Sequence, residues 1–394
     1  MLPLKGLKVV DLSKVLAGPL CGQYLGELGA DVIKVEPVGK GDDTRGWLPQ
    51  ANGESAVFMA VNRNKRSIAI DLKTKSGQGI VYDLIRNADI VLQGFRGKTA
   101  EKLGVDYESL IKINPNLIYC EISGYGRDGP LGNAPGYDVM LQAFSGMIST
   151  MGESDGHFAR ASFSPVDIGT GMNAFSGVLA AIIERSKTGK GVYFEATLLD
   201  TALGFMSYMA QSFWMTGDDP KPMGTGHPSM CPYQAFEATD GVMMLGAGND
   251  AQWKKFCEVA GLQDYVNHPD FCTNAMRMKN MEKTVAIVSE RFKTKTIEEW
   301  LTALRAVGVP CSPIHKLSQA LSHPQVLARG IIAESKHPQV GNLQQICLPI
   351  NFQNQDRQTN KPPPLLGEHT AEILRDLGYK DDQIESLRHN TVIA

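Results

Sequence analysis

"LKVVDLSKVLAGPLCGQYLGELGADVIKVE" spans residues 7–36. Leu7 to Leu12 is an apolar run too short for a helix and bounded by polar residues, which reads as a buried strand. "PLCGQYLGELGA" follows as a helix with Pro19 in its first turn, where proline's missing amide costs nothing. Asp31 to Glu36 is a second strand. Two buried strands joined by a helix are a βαβ unit, and that unit directs a parallel sheet.

The pattern continues outward. Strands are expected at Ser67–Leu72, Asp89–Phe95, Leu117–Ser123 and Gly191–Leu198. Helices are expected around Ile80–Ile85, Tyr107–Ile113, Val139–Thr150 and Ile168–Lys187, with another ending near Met215. The expected fold is α/β, a doubly wound parallel sheet whose ligands bind beyond the carboxyl ends of the strands. At 394 residues the chain exceeds what one core usually supports, so two domains are expected. The Gly/Pro-rich stretch Thr216–Pro232 reads as a linker. After it, "YQAFEATDGVMMLGAGND" reads as a hairpin turning at Asp240–Gly241, with helices dominating to Arg305. The division is therefore 1–200 with 330–394 as the large domain, 226–320 as a small α+β domain, and 201–225 and 321–329 as linkers.

Hydrophobic residues make up 43% and charged residues 21%, and the net charge is −3, as in an ordinary globular protein. That balance argues against nucleic acid or an anionic membrane as partner. No uncharged apolar stretch approaches the ~18 residues of a membrane span, and the N-terminus has no secretory h-region. Seven scattered cysteines without a CxxC pair suit reduced thiols in the cytoplasm. No histidine pair has metal-ligand spacing, so no metal is expected.

Three features compete for chemistry. "GYGRDG" (124–129) matches a dinucleotide fingerprint, but Pro130 and a turn-rich stretch follow where a helix must open, so it reads as a loop. Glu36 ends the second strand, where a ribose-binding acid would sit, without the glycines that position requires. Basic residues gather near strand ends: Lys40, Arg45, Lys73, Lys75, Arg96 and Lys98 share one edge of the expected sheet. They either converge on a polyanion or form a solvated surface. The third feature is "FSPVDIGTGMNAFSG" (163–177). Asp167 is the acid at a helix start, where a carboxylate caps free amides. Gly169 and Gly171 are costly in a helix and suggest a close approach to the backbone. The same geometry suits a carboxylate nucleophile with amides nearby for a developing oxyanion.

Taken together, "GLKVVDLSKVLAGP" (6–19), "LGADVIKVEPVGKGDDTRGW" (28–47), "NRNKRSIAIDLKTKSG" (62–77), "GFRGKTAEKLG" (94–104), "SGYGRDGP" (123–130), "APGYD" (134–138), "DIGTGMNAFSGVLAAIIERSKTGKG" (167–191), "LLDTAL" (198–203) and "PPPLLGEHT" (362–370) resemble the family III CoA-transferases in order and spacing. The resemblance implies a Rossmann-like large domain built from both chain ends, a small domain, and an interlocked homodimer. It implies that Asp167 is the nucleophile, forming an aspartyl-CoA thioester, and that CoA thioesters are substrates with no resident cofactor. It assigns CoA contacts to Val15, Leu16, Ala17, Ile70, Lys73, Gly94, Phe95, Lys102, Leu103 and Tyr137, to which the basic cluster adds Arg96. It assigns Gly246, Gly248 and Asn249 to an active-site loop, where the residue pattern alone also allows a helix cap at Asn249. Leu16 stands where the formyl-CoA enzymes carry a glutamine, Gly94 where an asparagine is usual, and Pro37 where some members carry an arginine.

A sister branch, the α-methylacyl-CoA racemases, carries a histidine base where this chain has Tyr137. A tyrosine with pKa about 10 is a poor base near neutrality, which favours transfer over racemisation. A non-catalytic CoA-binding protein is the further alternative. "PYQAF", "GAGN", "PQVL" and "PPPLLG" look most similar to the succinyl-CoA-dependent dicarboxylate transferases.

Overall fold

The computed structural model describes residues 2–96, 98–132, 134–352 and 361–394. Residues 353–360, within the expected large domain, lie outside them. The chain divides into two compact units: Met1–Ile148 with Arg160–Asp218 and Gln325–Ala394, and Ser149–Ala159 with Asp219–Pro324.

The first unit is built on six parallel strands: β1 (Lys8–Leu12), β2 (Asp31–Glu36), β3 (Lys65–Ala69), β4 (Ile90–Gln93), β5 (Ile118–Ser123) and β6 (Val192–Thr197). Their spatial order is β3-β2-β1-β4-β5-β6, with every neighbouring pair parallel. The chain steps outward from β1 through β2 to β3, returns to β4 on the other side of β1, and continues to β6. The direction of winding thus reverses between β1 and β4. At such a point the loops leaving the two strands diverge and open a crevice. The opening βαβ reading therefore holds, and it locates the site.

Five helices matter here: α1 (Ala17–Glu27), α2 (Lys75–Arg86), α3 (Asp138–Phe144), α4 (Pro165–Thr188) and α5 (Leu198–Thr216). Thr74 caps α2 through the Gly77 amide, and Ile80, Val81, Leu84 and Ile85 at helical spacing bury its inner face. α4 is long and apolar enough to cross a membrane by length and composition. Here it packs on α1, β5 and β6, with Val166, Ala174, Phe175, Val178 and Ala181 buried.

Two expectations about elements change. The single helix expected over 139–150 is two short ones, α3 and Met147–Thr150. The helix expected to end near Met215 is α5, which a kink at Ser207 interrupts, so most of the stretch 201–225 placed in a linker is helical. The C-terminal segment is tied back to the sheet. The Asp71 amide donates to the Val392 carbonyl (2.8 Å), and Arg66 bridges from β3 to Glu372 (2.9 Å) and Asp376 (2.8 Å).

The second unit carries the expected hairpin, Tyr233–Ala238 and Gly241–Gly246, paired antiparallel through a two-residue turn with Cys311–Pro313 on its other side. Trp253, Phe256, Phe292 and Trp300 stack in its core.

Candidate active site

A cleft of about 380 Å³ opens at the reversal point. Its walls are the turn after β1 (Ser13–Gly18), the segment after β4 (Gly94–Arg96), the end of β5 with its loop (Ile122–Gly124), and Gly136–Tyr137. Asp167, from the first turn of α4, faces into it. All of these lie within the first unit.

Two glycine contacts explain how the walls come together. A Cβ on Gly124 would sit 2.8 Å from the Gly136 Cα, so the "GYGRDG" and "APGYD" loops touch main chain to main chain. "GYGRDG" is an irregular loop and opens no helix. A Cβ on Gly171 would meet the Ala17 carbonyl oxygen at 2.6 Å, and one on Gly169 would meet the Phe205 ring at 2.4 Å. The close approach that these helical glycines signalled is therefore by α1 and α5, which lock the helix of Asp167 in place.

Asp167 does not cap its helix. Pro165 begins α4 and Ser164 occupies the cap position in a left-handed conformation without a side-chain bond. The cap comes from α3: Asp138 Oδ2 accepts the Val166 amide at 2.8 Å and the Asp167 amide at 3.1 Å. Gln142 donates to Asp138 Oδ1. The Ile168 amide donates to the Ser164 carbonyl at 3.1 Å. Every amide of this first turn is thus engaged, and none is free for a developing oxyanion, contrary to the sequence expectation. The Asp167 carboxylate accepts no hydrogen bond among the described residues and is half-buried. Burial, followed by the nearby charge of Asp138, raises its pKa to about 7. A carboxylate with so high a pKa is a stronger nucleophile once ionised than an ordinary aspartate.

The cleft gathers Val15, Leu16, Ala17, Gly94, Phe95, Arg96, Tyr137 and Asp167 from the expected residues. Ile70 is buried in the core, bridges to Ile393 and is not on the cleft wall. Lys73 and Lys102 are exposed and Leu103 is partly buried, none of them on the cleft wall. Arg127, which sequence reasoning passed over, lines the cleft; it pairs with Glu121 and donates to the Phe95 carbonyl at 2.8 Å. Its position after a strand end was the available signal.

The basic cluster does not converge. Arg45 makes two bonds to Glu36, each 2.7 Å, lies 3.7 Å over the Phe58 ring and donates to the Pro364 carbonyl. Glu36 also accepts from Ser67 at 2.7 Å, so this buried acid is occupied and is not a ribose site. Lys34 and Lys65 are buried and paired with Asp42 and Asp11, each at 2.9 Å. Burial and then the pull of Asp11 set the Lys65 ammonium at about 8, while Lys34 is held above the usual lysine value because its acids outweigh burial.

In the second unit, Asn249 caps the helix Asp250–Ala260 by accepting the Gln252 amide at 2.8 Å. A Cβ on Gly248 would meet Met230 at 2.7 Å, and the buried Arg277 donates to the Gly248 carbonyl at 2.9 Å. Among the described residues no three metal-type ligands gather.

A cleft at the winding reversal and, within it, a carboxylate that accepts no hydrogen bond among the described residues are features of a site, not of a reaction. Comparison with known proteins supplies the reaction. The model of CoA-transferase family III matches residues 4–370. The chain is 38% identical to the succinyl-CoA:glutarate CoA-transferase of Mus musculus, covering 100% of this chain and 91% of that one. It is 36% identical to the succinate–glutarate CoA-transferase of Agrobacterium fabrum, covering 95% and 96%. A CAIB/BAIF family protein from Brucella suis, solved by crystallography, superimposes with a TM-score of 0.84 at 38% identity over 95% of this chain and 99% of that one. The resemblance read from the motifs is borne out: the chain belongs to the family III CoA-transferases.

Proposed function

We propose that the protein moves CoA from succinyl-CoA, or a similarly short acyl-CoA, to a dicarboxylic acid of glutarate size through a thioester on Asp167. The observation that carries this reading is the Asp167 carboxylate, accepting no hydrogen bond among the described residues and of raised pKa, standing in the cleft where the sheet reverses. The substrate pair follows the names of the most similar relatives.

The chemistry balances without an added reagent. Asp167 attacks the donor's thioester carbonyl; the C–S bond breaks, leaving a mixed anhydride and CoA thiolate. The thiolate attacks the aspartyl carbonyl and the C–O bond breaks, releasing the donor as its carboxylate. The acceptor carboxylate then attacks the aspartyl-CoA carbonyl and expels the thiolate, forming a second anhydride. The thiolate takes the acceptor acyl group, and Asp167 leaves as carboxylate. Each step exchanges one acyl bond for another, which is how covalent catalysis divides a difficult transfer.

The pantetheine end is assigned to Val15, Leu16, Ala17, Gly94 and Phe95, with Arg96 and Tyr137 at the wall. Lys73, Lys102 and Leu103 are assigned to the nucleotide end. Gly246, Gly248 and Asn249 are assigned to the active-site loop on the resemblance alone. Two copies are proposed to assemble as an interlocked homodimer. The exposed Tyr208, Phe213, Trp214 and Met215 on α5 support a partnered surface. The free cysteines suit the cytoplasm.

The test is a screen of mono- and dicarboxylates with succinyl-CoA and acetyl-CoA as donors. Transfer to a C5 dicarboxylate that vanishes in Asp167→Ala is expected. Transfer that persists in Asp167→Ala overturns the assignment of the nucleophile, and transfer confined to monocarboxylates overturns that of the acceptor.

A further inference from the structure

The turn after β1 that lines the cleft is held in a conformation its residues resist. Val15 has φ +72°, and a β-branched residue with positive φ is a strained outlier. A buried charge cluster grips the turn at both polarities. Lys34 and Asp42, each with a fully buried side chain, lie 2.9 Å apart. Lys34 Nζ donates to the Ser13 carbonyl at 3.0 Å. Both Asp42 oxygens accept the Val15 amide at 3.3 Å, and the Asp42 amide is itself fixed by Glu36 at 3.0 Å. On the other flank, Asp11 accepts the Ser13 amide at 3.0 Å, and Lys65 holds both Asp11 and the Pro19 carbonyl, the latter at 2.8 Å.

Burying an ion pair rarely improves on well-packed apolar residues for stability. Here one partner grips the Ser13 carbonyl and the other the amide of the strained residue itself, so the pair fixes a conformation that the turn would otherwise leave.

We propose that the buried Lys34–Asp42 pair is a positioning device for acyl-CoA, setting its affinity by holding the Val15–Ala17 wall without touching the ligand. This rests on the assignment of the cleft to CoA. The pair acts on binding, whereas the reacting carboxylate belongs to α4 and is held separately by Asp138.

The experiment compares Asp42→Asn, Lys34→Met/Asp42→Ala and the control Asp31→Asn, which breaks the 2.7 Å Arg66–Asp31 pair at the far end of β2. Two quantities are read: succinyl-CoA KM against kcat, and hydrogen exchange of amides 13–18. The KM for succinyl-CoA is expected to rise about tenfold or more in the Asp42 variants, with kcat at saturation within about threefold of the parent. Exchange of the turn amides is expected to quicken. The double variant leaves no orphaned charge, so it is expected to keep the parent's thermal stability while its KM stays high. Asp31→Asn is expected to leave KM alone. Equal KM changes in Asp31→Asn, or a parent-like KM in the double variant, would overturn the proposal by reducing the pair to general stability. Unchanged exchange overturns it directly. Faster exchange with unchanged KM also overturns it, but by showing that the turn is held and does not bind acyl-CoA, which isolates the failure in the ligand assignment.

Discussion

Replacing Asp167 with asparagine removes the nucleophile and, on the present account, stabilises the fold above neutral pH. The carboxyl has an ordinary pKa of 3.8 and is raised in the folded protein to about 7. Below pH 3.8 it is protonated in both states and contributes nothing. Between the two values the folded state holds a proton that the unfolded chain has released, so stability falls as pH rises. Above about 7 both states are ionised and the folded state carries the full cost. At ~1.4 kcal/mol per pKa unit, the ionised carboxylate costs on the order of 4 kcal/mol at pH 8 and under about 2 kcal/mol at pH 5. Asparagine has nearly the same shape and no charge, and the Asp167 carboxylate surrenders no hydrogen bond among the described residues. Urea unfolding of parent and Asp167→Asn at pH 5 and pH 8 reads the difference. The variant is expected to gain more at pH 8 than at pH 5, by roughly 2–3 kcal/mol. A variant less stable than the parent at pH 8, or an equal gain at both pH values, would refute the raised pKa and with it the account of how this carboxylate is primed.

Asp138→Asn keeps an acceptor for the Val166 and Asp167 amides but removes the neighbouring charge. The acid limb of kcat/KM, expected near pH 7 in the parent, should move to lower pH; an unmoved limb assigns it to another group. Gly171→Ala places a Cβ 2.6 Å from the Ala17 carbonyl, where backbone cannot yield, and should cost about 1–3 kcal/mol in the same unfolding assay. Arg66→Met breaks the bridges to Glu372 and Asp376, and limited proteolysis should then cut faster within residues 361–394 than elsewhere.

Much of the sheet was legible because buried parallel strands are short apolar runs, and their period survives without knowledge of neighbours. The cleft was legible for the same reason: the residues after β1 and β4 are fixed by strand ends. Partnerships across the chain were not. Arg45 read as a possible phosphate ligand because its acid, Glu36, carries no spacing signal that marks it as a partner. Asp167 read as its own cap because the real cap, Asp138, comes from a different helix. Gly169 and Gly171 announced a close approach correctly, but sequence cannot distinguish a ligand from Ala17 and Phe205. Ile70, a CoA contact by resemblance, is buried beside Ile393, a partner from the far end of the chain that local pattern does not reveal.

The central claim is a covalent bond between CoA and Asp167, and intact-mass analysis followed by peptide mapping after brief incubation with succinyl-CoA tests it most directly. A CoA adduct on the peptide containing Asp167, discharged by glutarate and absent from Asp167→Ala, is the expected result. No adduct at Asp167, with Asp167→Ala transferring CoA at the parent's rate, would contradict the account.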